Sequence, residues 1–298
     1  MPSDGGDMRH PDPNFLYPSQ SFIEHELMQA QLKPPHAKPF MRKGGLVLGS
    51  HIDALSWEDT LARIVSWASH HQSRYVTLCN VHSVVTASDD PAFHRVIEKA
   101  DLALPDGAPV AWALRREGFR SQERLNGPDL MWRYLATAER IGQAVYFYGS
   151  TDETLGKLLA RIREAFPKLR VAGMDSPPFR ELTEAEDNAY VDKINQSGAH
   201  VVFVGLGCPK QETWMAEHRG RIHAVMLGVG AAFDYHSGSL RRAPQWMQKM
   251  GLEWFYRLCS EPRRLFKRYA ITNSAFVWHT LKQMVLGAPE APSQKRKP

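Results

Sequence analysis

Four short segments carry residue types that could do chemistry. In Leu104-Pro105-Asp106-Gly107 a carboxylate follows an apolar run and is held in a tight Pro–Gly turn. Asp106 there could accept a proton from a hydroxyl nucleophile as a general base. It could equally serve as the N-cap of a helix starting near Ala108. In Val204-Gly205-Leu206-Gly207-Cys208-Pro209-Lys210-Gln211-Glu212 the glycines let backbone approach a ligand, and Pro209 suits a first helical turn. A helix N-terminus attracts phosphate, and Gln211 and Glu212 could hydrogen-bond a base or a ribose. The alternative is a plain strand–helix connection. Gly-Lys-Ser/Thr is missing, so this is not a P-loop. Arg124, just before a helix start, could grip a diphosphate with both arms of its guanidinium or lie solvated on the surface. Gly228-Val229-Gly230-Ala231-Ala232-Phe233-Asp234 reads G-x-G-x-x-F, a weak dinucleotide signal, and no βαβ unit closes after it.

Metal chemistry has little support. The thirteen histidines form no HExxH and no paired His/Cys spacing, and Asp89-Asp90 before Pro91 reads as a helix cap. We expect no cofactor and no tightly bound metal. Cys79, Cys208 and Cys259 lack CxxC spacing and read as reduced, packed thiols.

These residues need a frame. Candidate strands are Leu46–Leu48, Tyr75–Cys79, Leu102–Leu104, Ala144–Tyr148, Leu169–Ala172, Val201–Gly205 and Ala224–Gly228. Candidate helices fall near 56–71, 91–100, 107–117, 128–141, 152–166, 183–197 and 209–219. That alternation predicts an α/β fold, a Rossmann-like and mostly parallel sheet with helices on both faces. Such sheets bind ligands at the carboxyl ends of their strands, where the four segments fall.

The rest of the chain differs in texture. Residues 1–41 contain seven prolines from Pro2 to Pro39 and read as a mobile extension with at most a short helix at 19–33. The catalytic core is expected over 42–240, a basic appendage over 241–286 and a disordered tail over 287–298. Trp254–Leu286 carries Arg257, Arg263, Arg264, Lys267, Arg268 and Lys282 against one acid, Glu261, interleaved with aromatic side chains. This composition suits an anionic bilayer surface, a helix packed on the core with a solvated basic face, or a nucleic-acid surface. The net charge of +5 fits a phosphate-rich partner. The first twenty residues lack the apolar core of a signal peptide, and no apolar run nears the ~20 residues that span a bilayer.

Taken together, Asn80, Pro105-Asp106-Gly107, Glu123-Arg124-Leu125-Asn126-Gly127, the segments at 205–212 and 228–234, Arg242-Ala243-Pro244-Gln245-Trp246, Gly251–Leu258 and Glu261-Pro262-Arg263-Arg264 resemble the WecG/TagA/CpsF glycosyltransferases. The resemblance implies transfer of a sugar from a UDP-sugar to a polyprenyl-diphosphate-linked sugar, with inversion and without metal. It implies a cytoplasmic protein, peripheral on the inner face of the membrane, in cell-surface or exopolysaccharide synthesis. Nucleic acid would not be a partner, and a homo-oligomer is compatible with it. Asp106 matches the base. Asn80, Arg124, Gln211 and Asp234 match positions around the nucleotide-sugar pocket, to which Gly207 and Glu212 of the same glycine-rich run are added. Arg257 and Arg264 match appendage arginines that meet the leaving diphosphate, with Lys267 or Arg268 as a third cation. Members often carry Thr where this chain has Leu78, so Thr77 is the nearest substitute. Competing functions are another nucleotide-sugar enzyme (an epimerase or dehydrogenase) or a non-catalytic basic protein that binds membrane or nucleic acid.

Overall fold

The computed structural model describes residues 42–286; the expectations for 1–41 and 287–298 lie outside the described residues. The chain enters through an antiparallel hairpin, β1 (Gly44–Val47) and β2 (Ser50–Asp53). This hairpin replaces the single strand expected at Leu46–Leu48. Leu48 (φ 49°) and Gly49 (φ 86°) are both left-handed, which makes the tight two-residue turn that matches strand twist. Buried Asp53 docks the hairpin. It pairs with Arg42 at 2.7 Å and accepts the Ala103 N–H at 2.7 Å.

Six parallel strands follow: β3 (Arg74–Cys79), β4 (Leu102–Pro105), β5 (Val145–Gly149), β6 (Val171–Asp175), β7 (Val201–Gly205) and β8 (Val225–Gly228). Their order is β4-β3-β8-β7-β5-β6. Nearly every residue of the central strands is buried because both faces are covered. Side chains alternate between the faces. Val76, Leu78, Phe147, Phe203 and Leu227 meet α1 (Trp57–Ser69), α5 (Gly127–Ile141) and α6 (Asp152–Ala165). Tyr75, Tyr146, Tyr148 and Met226 meet α7 (Glu184–Gln196) and α8 (Lys210–His218).

Three more helices pack around this end of the sheet: α2 (Val81–Asp89) against β3, α3 (Pro91–Glu98) against α8, with Val96 O accepting the Tyr75 hydroxyl at 2.6 Å, and α4 (Ala108–Arg116) against β1. Asp90 caps α3 through the Ala92 N–H, as its place before Pro91 predicts. The sequence does not announce α2. Its Val-Val-Thr run favours strand, and Asn80 supplies the start by accepting the Ser83 N–H at 3.2 Å.

After β8 come α9 (Ala232–His236), α10 (Gln245–Lys249), α11 (Glu253–Ser260) and the 25-residue α12 (Pro262–Leu286). α12 packs on α2 and buries Leu265, Thr272 and Phe276. Phe266, Ile271, Val277, Trp278 and Leu281 stay exposed on it, with Trp246, Met250, Trp254 and Phe255 nearby in sequence. No described helix is long and apolar enough to cross a membrane.

A candidate active site at the carboxyl edge of the sheet

Because the six strands are parallel, their carboxyl ends share one edge. Asp106 leaves β4 there, and its N–H donates to Cys79 O of β3 at 2.9 Å. Gly107 takes φ 97° and is itself the N-cap of α4, with no side-chain cap bond. The cap role for Asp106 is therefore ruled out, and its carboxylate is left for other work. The side chain is partly exposed. Burial pushes its carboxyl up to about 6, and Glu253 adds to the rise, against the pull of Arg124, Arg257 and Arg242.

Those neighbours form a charge network. Arg124 pairs with Glu253 at 2.7 Å. Glu253 also takes Arg242 Nε at 3.2 Å. Arg242 in turn holds Asp129 with both arms, at 2.5 and 3.1 Å, and reaches Asn126 Oδ1 at 3.2 Å. Burial opposes these charges, yet Arg242 keeps Asp129 below the usual carboxylate range. Asn126 caps α5 through the Asp129 N–H at 3.0 Å. The loop from Arg124 to Asp129 is thus fastened to α11 and to the strap before α10.

Arg257 on α11 lies close enough to act on the carboxylates of both Asp106 and Asp234. Burial raises Asp234, while Arg264 and Arg257 draw it down. The Arg257 guanidinium stands 5.6 Å over the Tyr235 ring. Beside it a cavity of about 200 Å³ is lined by Tyr235, Leu240, Arg241, Tyr256, Arg257, Ser260 and Glu261. Two buried polar atoms of these residues, Tyr235 Oη and Arg257 Nε, have no hydrogen-bond partner. A partly exposed carboxylate of raised basicity can take up a proton, and the arginines whose charge reaches it, one of them lining the cavity, can receive anionic charge.

Residues 46–289 match the glycosyl transferase WecG/TagA/CpsF family. A relative from Bacillus spizizenii, the N-acetylglucosaminyldiphosphoundecaprenol N-acetyl-beta-D-mannosaminyltransferase, is 31% identical over 222 residues, covering 72% of this chain and 84% of its own length. The chain belongs to the WecG/TagA/CpsF family of glycosyltransferases.

Within this glycosyltransferase the sequence-derived positions divide. Arg257 lines the cavity that forms the cleft of this site, and its charge acts on both Asp106 and Asp234, as that of Arg124 acts on Asp106; these three lie around the cavity rather than in its lining. Asn80 flanks the turn after Asp106, since a Cβ on Gly107 would lie 3.9 Å from Asn80 Cβ. Arg264 reaches the Asp234 side while pairing with Glu261 on its exposed flank. Gly207 is an exposed turn with φ 81°. Lys267 is exposed on α12, and Arg268 lies over the Tyr269 ring at 5.3 Å with its charge felt at His82 of α2.

Three positions sit differently from their expectation. Thr77 is buried inside β3, its hydroxyl donating to Leu102 O at 3.4 Å. It cannot stand in for Thr at position 78, because neighbours in a strand point to opposite faces. Leu78 faces Gly127, whose Cβ would meet Leu78 Cδ1 at 3.2 Å. Gln211 and Glu212 are also buried, at 4% and 1% exposure, and hydrogen-bond each other. The sequence gives no sign that Arg242, Asp129, Glu253 and Tyr235 are parts of the site. Arg242 and Glu253 fall within motifs that carry the family resemblance, but no local spacing links them to Asp129.

Among the described residues no three His, Cys, Asp or Glu side chains gather as a metal site.

Proposed function

We propose that this glycosyltransferase moves a sugar from a UDP-sugar to a polyprenyl-diphosphate-linked sugar by a single displacement. Asp106, lifted in basicity yet ringed by arginines, is the observation that carries this reading. Its carboxylate takes the proton of the acceptor hydroxyl as that oxygen bonds to the anomeric carbon from the face opposite the phosphate. The bond from that carbon to the phosphate oxygen breaks, and UDP leaves with the electron pair. The configuration inverts. Arg257, helped by Arg264, meets the negative charge that grows on the diphosphate, which would let the step run without a metal. Asp234 lies near enough to both arginines for their charges to act on it. The name of the Bacillus spizizenii relative supports a lipid-linked diphosphate acceptor. A peripheral seat on an anionic membrane is supported by the exposed Trp246, Trp254, Phe255, Phe266 and Trp278 among the appendage's basic residues, and its proposed face is the cytoplasmic one. Synthesis of a cell-surface or exopolysaccharide polymer would be its setting.

A thermal-shift series of UDP-sugars, followed by transfer of the best donor onto a short-chain polyprenyl-diphosphate sugar, tests the reaction. We expect one UDP-sugar to stabilise the protein and to yield a new glycosidic product. Stabilisation by nicotinamide dinucleotides, with no UDP-sugar response, would defeat it.

The pH dependence follows from the base. An Asp carboxyl ordinarily titrates near 4, and burial pushes that of Asp106 up to about 6, so at acidic pH it holds a proton and cannot accept another. We expect kcat/KM to fall about tenfold per pH unit below about 6 and to level off above it. A profile still flat at pH 5, measured on enzyme shown to be folded there, would remove Asp106 from the proton transfer.

A further inference from the structure

The sequence offers Glu212 as a ligand for the nucleotide, but its surroundings give it another task. It sits in the first turn of α8 with 1% exposure. Its Oε1 accepts from Gln211 Nε2 at 2.8 Å, and its Oε2 has no hydrogen-bond partner. Gln211, 4% exposed, turns its other end to the β8 turn, where Oε1 accepts the Gly230 N–H at 3.1 Å. A carboxamide has one donating and one accepting end. With the donating end fixed on the carboxyl, the accepting end must face Gly230. The turn is pressed onto this pair. A Cβ on Gly228 would come within 2.6 Å of Met215 Cε and 3.2 Å of Gln211 Nε2. Two residues after Gly230 the chain enters α9, which bears Asp234 and Tyr235.

We propose that Glu212 is a positioning residue: it locks the Gln211 carboxamide, and through it the Gly228–Gly230 turn that sets Asp234 and Tyr235 against the arginines of the cleft. Glu212 touches no substrate. Its burial also keeps water from competing for the Gln211 N–H, and it pushes the Glu212 carboxyl upward. A neutral side chain with a carbonyl in the same place can therefore do the same task.

The ordering of the turn is read by hydrogen exchange at the Gly230 amide, and its consequence at the cleft by UDP titration. Only the second measurement rests on the proposed transfer reaction. In Glu212→Ala we expect exchange at Gly230 to quicken and UDP affinity to fall, each by about tenfold, the loss of one well-placed buried hydrogen bond. In the transfer assay KM for the donor should rise by more than kcat falls. Glu212→Gln should recover most of both losses, since its carbonyl still accepts from Gln211. Because Glu212 works through Gln211, the double variant E212A/Q211A should be no worse than Q211A alone. Where E212A does not fold, E212D, which withdraws the carboxyl by one methylene, serves in its place with the same ordering. Wild-type exchange at Gly230 in E212A, additive losses in the double variant, or E212Q as damaged as E212A would overturn the proposal. Failure of the unmodified protein to bind UDP would count against the transfer reaction instead, with the exchange result still deciding the role of Glu212.

Discussion

Asp106→Asn is expected to lower kcat by at least about 10² while leaving UDP binding in place. The amide fills the same space but cannot take a proton from the acceptor. The same change should make the protein more stable at pH 7. Asp106 has its carboxyl raised from the ordinary range to about 6 by burial. An acid raised on folding destabilises the folded state once it ionises. The penalty is absent below about pH 4, grows as pH climbs to about 6, and stays constant above. Lifting a carboxyl from about 4 to about 6 costs about 3 kcal/mol at most, and the water that still reaches the side chain reduces the gain to about 1–2 kcal/mol. A slow enzyme with a melting temperature a few degrees higher would be the signature of a base held at a cost to stability. Turnover near the wild-type rate would refute the assignment. Lower stability together with lower turnover would point to a structural role.

Arg242→Ala should produce the largest loss of stability, about 3 kcal/mol. The side chain is 18% exposed, and it serves Asp129 and Glu253 at once, themselves 25% and 15% exposed. Removing it leaves two shielded carboxylates without their shared cation: Glu253 keeps Arg124, while Asp129 keeps the Asn126 hydrogen bond and the more distant charge of Arg124. Most of the expected loss comes from that uncompensated charge rather than from a missing contact. Chemical denaturation should show a lower midpoint with an unchanged slope. Adding Asp129→Asn should restore part of the loss, which simple loss of packing would not allow. If R242A matches the wild type in stability, the network contributes nothing to folding.

The sheet is legible in the sequence because its strands are buried on both faces and appear as unbroken apolar runs, as in Val201–Gly205 and Val225–Gly228. Asp106 and the glycine-rich ends are legible because parallel strands send their carboxyl ends to one edge. Three kinds of feature are hidden. The hairpin at Leu48-Gly49 uses a left-handed leucine, which no propensity favours. Helix α2 is built from β-branched residues and is held by its cap and by packing under α12. The Arg242–Asp129 pair joins residues 113 positions apart, and nothing local at either end predicts the other. Thr77 shows a related blind spot, because adjacency in a strand places a side chain on the wrong face.

Arg242 and Glu253 lie beyond residue 240, where the sequence suggests that the core gives way to the appendage, yet they close the loop that flanks the base. A shortened protein ending near 240 would therefore lose counter-ions along with its outward-facing helices. Inactivity in such a fragment would say little about lipid. A cut placed after Ser260 would keep Arg242, Glu253 and Arg257 while removing α12, and would separate the two effects.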